Sequence, residues 1–313
     1  MKDRDPKNII AGIDIGTNSA RLMVVDISDG RILGQSLITT KLGESLAFSD
    51  RISFQAMNRT FVALSELKRV ANEDYNASRI RAFCTEALRK AKNRSEFIDR
   101  VRKNLDIELE LIGGVREAEY VFKGIYYNRR ISLNLNNSLI VDIGGGSTEF
   151  IYIKDSNIEF MKSVDIGALI LTERYLETDP PRAEEFNRME DIIISRIGFL
   201  EEIKDCKLIG LGGSITTLSA MNMNLKNYRP DNVDGSKITL RRCKKLLWDL
   251  RSVSVEDRKN IISFDNDRAE IIVAGATILV NIMEKVQARS VTVSETGILY
   301  GYIMEEFGGT ADR

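Results

Sequence analysis

Apolar positions recur along this chain with two periods. Near the start, IIAGIDI (9–15) and ARLMVVDI (20–27) are β-compatible runs separated by GTNS, and RILGQSLITTKLG (31–43) follows the hairpin dipeptide Asp29-Gly30. The layout returns further on: LIVDI (139–143), GGGST (144–148), EFIYIK (149–154), a DSN turn and IEFMKSVDIG (158–167). Asp14 and Asp142 occupy equivalent places, as do Gly16 and Gly144. The pattern is an internal duplication of a strand–Gly turn–strand–turn–strand unit.

Between these units the period changes to that of a helix. Met57, Phe61, Leu64, Leu67 and Val70 predict a helix from Ser53, a natural N-cap, to about Asn72. Ala118, Val121, Phe122 and Ile125 predict one over about 116–128. Phe186, Met189, Ile193, Ile197 and Leu200 do so over about 183–203, and Ile272, Val273, Ala276, Leu279 and Met283 over about 268–286. RIRAFCTEAL reads as a strand entering a helix near Arg89. Strands alternating with helices give the α/β class, and the duplication predicts two similar domains facing each other across a cleft. Their expected bounds are 1–127 plus 299–313 and 128–298, with GILYGYIMEEF packing back on the first.

Composition narrows the chemistry. The 313 residues carry a net charge of −1 with acids and bases interspersed, so no overall basic field draws nucleic acid. No apolar stretch approaches the roughly 20 residues of a membrane-spanning helix, and MKDRDPKN does not read as a signal peptide. The three cysteines are odd in number and far apart, which fits a reducing cytoplasm. There is no histidine. A Ser-His-Asp triad, a phosphohistidine and a His-based metal centre are excluded within the chain. Catalysis must rest on carboxylates, Arg, Lys, backbone amides and a bound cation.

A Gly-rich turn lets backbone N–H groups approach an anion with no side chain in the way. Gly144, Gly145, Gly146 and Ser147 form one such turn, with Thr148 adding a hydroxyl, and Thr17, Asn18 and Ser19 take that role in the first copy. Two facing turns suit a chain of phosphates. Asp14 and Asp142, each ending a strand, suit a hydrated divalent cation bridging them. GLGGS adds Gly212, Gly213 and Ser214. The chain lacks G-x-x-x-x-G-K-[ST], and GLGGSI lacks the third glycine of G-x-G-x-x-G, so neither a P-loop nor a Rossmann site fits.

Two β-hairpin phosphate motifs and a late GLGGS resemble the actin-like ATPase fold, related to ribonuclease H. AGIDIGTNSARLMVVDI, CTEALRKAKN, ELIGGVREAEYVFKGI, VDIGGGSTEF, GLGGSITTLSAM and RAEIIVAGATILV, in that order, resemble the exopolyphosphatase/guanosine pentaphosphate phosphatase family in its short two-domain form. The resemblance covers nearly the whole chain. It implies Mg²⁺-dependent hydrolysis of the terminal phosphoanhydride of inorganic polyphosphate or pppGpp, with Mn²⁺ also suited, by a cytoplasmic monomer or homodimer. It implies Glu117 as the catalytic carboxylate that orients and deprotonates water, at a helix N-terminus that holds its pKa down. Arg89 grips the transferring phosphoryl group; Asp142 and Glu149, with Asp14, hold the metal; Gly144 to Ser147 donate to phosphate; and Gly212, Gly213 and Ser214 shape the cleft. The chain departs from the family at Arg116, where relatives often carry an acid, at Asp234, often histidine, and at Thr296 and Leu299, often arginine. The lost charges are expected to weaken binding of long polyphosphate. A kinase of the same fold and a non-catalytic polyphosphate or (p)ppGpp sensor are the other readings.

Overall fold

The computed structural model describes residues 5–128 and 135–308. The chain divides into two compact units, Met1–Asn128 with Thr296–Arg313, and Arg129–Glu295. In the first, β1 (Ile9–Ile15), β2 (Ser19–Asp26) and β3 (Arg31–Thr39) form an antiparallel meander. Then come α1 (Phe54–Glu73), β4 (Arg79–Cys84), α2 (Glu86–Lys90), α3 (Arg94–Leu105), β5 (Leu109–Leu111) and α4 (Gly114–Tyr127). The sheet order is β3-β2-β1-β4-β5, with β4 parallel to both neighbours. All seven residues of β1 are buried, because helices cover both of its faces.

The second unit repeats the plan. β6 (Ser138–Ile143), β7 (Thr148–Lys154) and β8 (Asn157–Val164) form the meander, followed by α5 (Ala168–Tyr175), α6 (Ala183–Arg196), β9 (Lys207–Leu211), α7 (Gly213–Asn222) and α8 (Pro230–Val233). Then follow β10 (Lys237–Thr239), α9 (Leu240–Arg251), α10 (Val255–Ile261), α11 (Ile272–Lys285) and β11 (Ser290–Val293). Its order, β10-β11-β9-β6-β7-β8, is the first sheet's with β10 added at one edge. The duplication extends to register. Asp14 pairs across with Arg21, and Asp142 with Glu149. The second and third strands break register at Val24/Val25 in one unit and at Tyr152/Ile153 in the other, at the same offset from each aspartate. Among the described residues no helix is long and apolar enough to cross a membrane.

Local signals account for most boundaries. Ser53 caps α1, accepting from the Ala56 N–H at 3.1 Å, and Met57, Leu64 and Leu67 face the core. The stretch expected as one helix over 183–203 stops at Arg196 and continues as a 3₁₀ turn, Gly198–Leu200. The helix expected from Arg268 begins as a 3₁₀ turn, Asn266–Glu270, and becomes α-helical at Ile272.

The last helix, α12 (Ile298–Phe307), lies against α4 and β1 of the first unit. Glycines allow this. A Cβ on Gly301 would lie 1.9 Å from the Tyr120 carbonyl oxygen, and one on Gly124 would lie 2.1 Å from that of Gly297, so the two helices touch backbone to backbone. Gly301→Ala is expected to cost about 3 kcal/mol, read as a lower urea midpoint. Gly198→Ala, where an added methyl has nothing within 4 Å, is the neutral control.

Candidate active site

Asp14 ends β1, and the turn that follows is closed by Gly16 N–H donating to the Ser19 carbonyl at 3.0 Å. Gly144 N–H donates to the Ser147 carbonyl at 2.9 Å in the matching turn. Each turn is strapped from behind by the chain that leaves the third strand. In the first unit Thr40 and Lys41 N–H donate to the Asn18 carbonyl at 3.0 and 2.8 Å, and Gly43 N–H to that of Thr17 at 2.8 Å. In the second, Ala168 N–H donates to the Gly144 carbonyl at 2.9 Å, and Leu169 and Ile170 N–H to that of Gly145 at 2.9 and 3.2 Å. Only glycine fits where each strap crosses. A Cβ on Gly43 would lie 2.2 Å from the Thr17 methyl, and one on Gly167 would lie 2.3 Å from the Gly146 carbonyl carbon. Neither strap glycine was assigned a role from sequence; the one signal was that both third strands run into a hydrophobic residue followed by Gly.

The straps occupy the carbonyls and leave the amides. Among the described residues the N–H groups of Gly145, Gly146 and Ser147 make no backbone hydrogen bond. Successive amides of this kind form an anion-binding concavity. In the first turn the Asn18 side chain is 4% exposed, yet neither its Oδ1 nor its Nδ2 has a hydrogen-bond partner. A buried amide left this way costs free energy until something binds it. The side chains of the second turn behave differently from expectation. Ser147 Oγ donates to Glu149 Oε1 at 2.8 Å and Thr148 Oγ1 to the Ile166 carbonyl at 2.5 Å, so both hydroxyl protons are committed within the protein. Ser147 is left with its backbone N–H for an anion.

The pair Asp142–Glu149 sets the two units apart. Like charges directly opposite on antiparallel strands are destabilising, and the equivalent pair in the first unit, Asp14–Arg21, has opposite charges. Glu149 also accepts from Ser163 Oγ at 2.7 Å, which fixes its carboxylate. Among the described residues no group of three or more acidic, His or Cys side chains could hold a metal. Two carboxylates still fit Mg²⁺, which keeps several of its waters. Asp14 belongs to the first unit, Asp142 and Glu149 to the second.

GLGGS is only partly at this site. Gly212 has φ +93°, and a Cβ there would lie 2.8 Å from Asp142 Oδ1, so this turn backs directly onto the aspartate. A Cβ on Gly213 would lie 2.2 Å from the Arg268 guanidinium. Ser214 instead packs on α11, its Oγ 2.0 Å from where a Cβ on Gly275 would stand. Arg268 is buried and donates to Asp265 Oδ2 at 3.3 Å; neither it nor Arg21 stands out from the sequence pattern as a site residue. The repeat was the available signal for Arg21, since it places that residue in register with Glu149.

Arg89 and Glu117 come together in the first unit. Arg89, in the last turn of α2, donates through Nη1 to the Ile112 carbonyl at 2.9 Å and to Glu117 Oε1. Glu117 is 4% exposed in the first turn of α4. Burial pushes its carboxyl up to about 7, with Asp14 and Glu86 adding to the rise and Arg89 opposing it. The expected lowering by the helix N-terminus is therefore overturned: desolvation outweighs the dipole.

The departures also fall into place. Arg116 is exposed, paired with Glu119 at 2.7 Å and Glu306 at 3.2 Å, and stacked over Tyr120. Asp234 Oδ1 accepts from the Glu295 N–H at 2.9 Å. Thr296 and Leu299 are both buried, and Leu299 packs where a Cβ on Gly12 would be 2.8 Å away. Leu299 is thus a core residue beneath β1, where a charge has no place.

Because the folded pKa of Glu117 lies above the ordinary carboxyl value, its protonated form favours the fold at low pH, and that contribution is lost as pH rises toward 7. Glu117→Gln keeps the neutral form at every pH. Its urea stability relative to the parent protein is expected to rise by about 2 kcal/mol between roughly pH 5 and pH 8.

The Ppx/GppA phosphatase family model matches residues 23–308. The chain is 28% identical to Exopolyphosphatase 2 of Mycobacterium tuberculosis, over 96% of this chain and 98% of that protein. It is 29% identical to the Bifunctional 3-dehydroquinate synthase/phosphatase of Fusobacterium nucleatum, over 94% of this chain and 46% of that protein, so it spans under half of that relative. The crystal structure of the Aquifex aeolicus Ppx/GppA family member superposes with a TM-score of 0.78 at 30% identity, covering 95% of this chain and 97% of that one.

Proposed function

Because the chain belongs to the Ppx/GppA phosphatase family, we propose that it hydrolyses the terminal phosphoanhydride of inorganic polyphosphate or of pppGpp and releases orthophosphate. The observation that carries this reading is the Glu117 carboxylate, buried in the first turn of α4 and held by Arg89. A carboxyl raised to about 7 can take a proton from water at neutral pH, where an ordinary glutamate is too weak a base. Phosphoryl transfer asks little covalent chemistry of the protein; it needs an aligned water and compensation of charge on the equatorial oxygens.

The other parts are assigned by the chemistry each can do. Arg89 anchors Glu117 through one nitrogen, and its remaining N–H groups are donors for the transferring phosphoryl group. The amides of Gly145, Gly146 and Ser147 and the Asn18 amide bind phosphate oxygens. Asp142 and Glu149 would hold Mg²⁺ or Mn²⁺, which supplies charge neutralisation on the phosphates when bound. Gly212 keeps the space beside Asp142 clear. With no histidine in the chain, a direct attack by water needs no phosphorylated intermediate on that residue.

Phosphate release with Mg²⁺ from long polyphosphate, triphosphate, pppGpp and ATP tests the reading. Release from polyphosphate or pppGpp is expected, falling roughly 10³-fold in Glu117→Gln. Below about pH 7, kcat/KM of the parent protein is expected to fall about tenfold per pH unit as Glu117 is protonated. Full activity in the Gln variant would remove Glu117 from the reaction. Glu149→Gln relieves the like-charge pair and removes a metal ligand, so it is expected to raise the Mg²⁺ concentration for half-maximal rate at least about tenfold. An unchanged Mg²⁺ requirement would take Glu149 out of the metal site.

A further inference from the structure

The second unit holds an open surface pocket of about 690 Å³ that none of the phosphate chemistry uses. Its volume is that of a small-molecule site. Met221, Leu225, Leu246 and Phe264 give it an apolar lining, drawn from the end of α7, one face of α9 and the chain after α10. Trp248 stands at its wall, 61% exposed, with the Arg251 guanidinium 4.7 Å from its ring.

The charges in the lining decide what it can hold. Asp249, the one acid there, is already paired with Lys245 at 2.9 Å. Arg242 has no carboxylate partner among the described residues; its Nε donates to Asn222 Oδ1 at 3.2 Å, which leaves the Nη groups for a ligand. A guanidinium without a carboxylate partner at one side of an apolar pocket favours an anionic group. An exposed indole at the wall selects a flat apolar body. The geometry points to a binding site for a small aromatic anion, with its carboxylate or phosphate on Arg242 and its ring against Trp248 and the apolar lining.

This site is separate from the glycine turns. α7 carries Gly213 at its first position and Met221 near its last, so these two residues stand about 12 Å apart by the rise of an α-helix. It also stands independently of the reaction proposed above, since nothing in it depends on Glu117 or a metal.

Trp248 is the only tryptophan in the chain, so its indole N–H gives a single resonance that reports on this cavity alone. The experiment follows that resonance in the full chain during titration with 2-naphthoate, 2-naphthyl phosphate, neutral 2-naphthol and hexanoate. A saturable shift is expected with at least one aromatic anion, and the tighter of the two identifies the head group as carboxylate or phosphate. Arg242→Gln is expected to weaken that binding about tenfold. Ser252→Asp, an exposed change in the same lining, adds a repelling charge and is expected to weaken it likewise, which keeps the test open if Arg242→Gln does not fold. Absence of a saturable shift with either anion would overturn the site. So would binding of 2-naphthol or hexanoate as tight as that of the aromatic anions, or binding that neither substitution changes.

Discussion

Everything at the glycine turns depends on which half of each peptide group is already used. A strap of backbone N–H groups takes the carbonyls of Thr17 and Asn18 in one unit and of Gly144 and Gly145 in the other. A peptide plane held by its oxygen has its N–H direction fixed as well. The amides of Gly145 and Gly146 are therefore set in place before any anion arrives, and binding does not have to order them. The requirement passes down the chain. Gly43 and Gly167 must be glycine so that the straps can come close, and the third strands must end where they do so that the straps start in register.

The duplicated scaffold carries two different electrostatic problems. Across the same register pair, the first unit sets Asp14 opposite Arg21, while the second sets Asp142 opposite Glu149, two like charges on neighbouring strands. Glu117 shows a third solution. Its carboxylate is buried near other acids, and the guanidinium of Arg89 only partly offsets the burial, so its proton is held up to about pH 7. One fold thus sets one carboxylate opposite a base, two opposite each other and one in a buried pocket beside an arginine, each governed by its immediate neighbours rather than by the residue type.

How much of this could be read from the chain follows the range of the interactions. The two meanders were legible because strand periodicity and the Asp-Ile-Gly words are local, and α1 because its cap and stripe are local. α3 and α9 carry equally clear local stripes, Phe97, Val101 and Leu105 in one and Cys243, Leu246, Leu247 and Leu250 in the other. The strap glycines could not be recognised, since their role is an approach between segments more than 20 residues apart. The same holds for the raised carboxyl of Glu117. Its helix position is visible in sequence and argues the opposite direction, while the burial that decides the matter comes from the rest of the unit. Leu299 shows the limit of comparing letters: a position where an arginine was expected turns out to be packed under Gly12.

The return of α12 to the first unit has a consequence for biosynthesis. Ile10, Met23, Val25 and Phe83 lie on one face of the first sheet, and they form a single core with Leu299, Tyr300, Tyr302 and Ile303 of α12. While the chain is being made, Ile112 and Tyr120 can cover part of that face, but the α12 part of its cover comes only some 170 residues later, and the whole second unit emerges in the interval. The second unit contains all of its own core and can close as soon as β11 is complete. The first unit is thus completed only after the second has emerged, and until then part of the apolar face of its sheet waits for its partner helix.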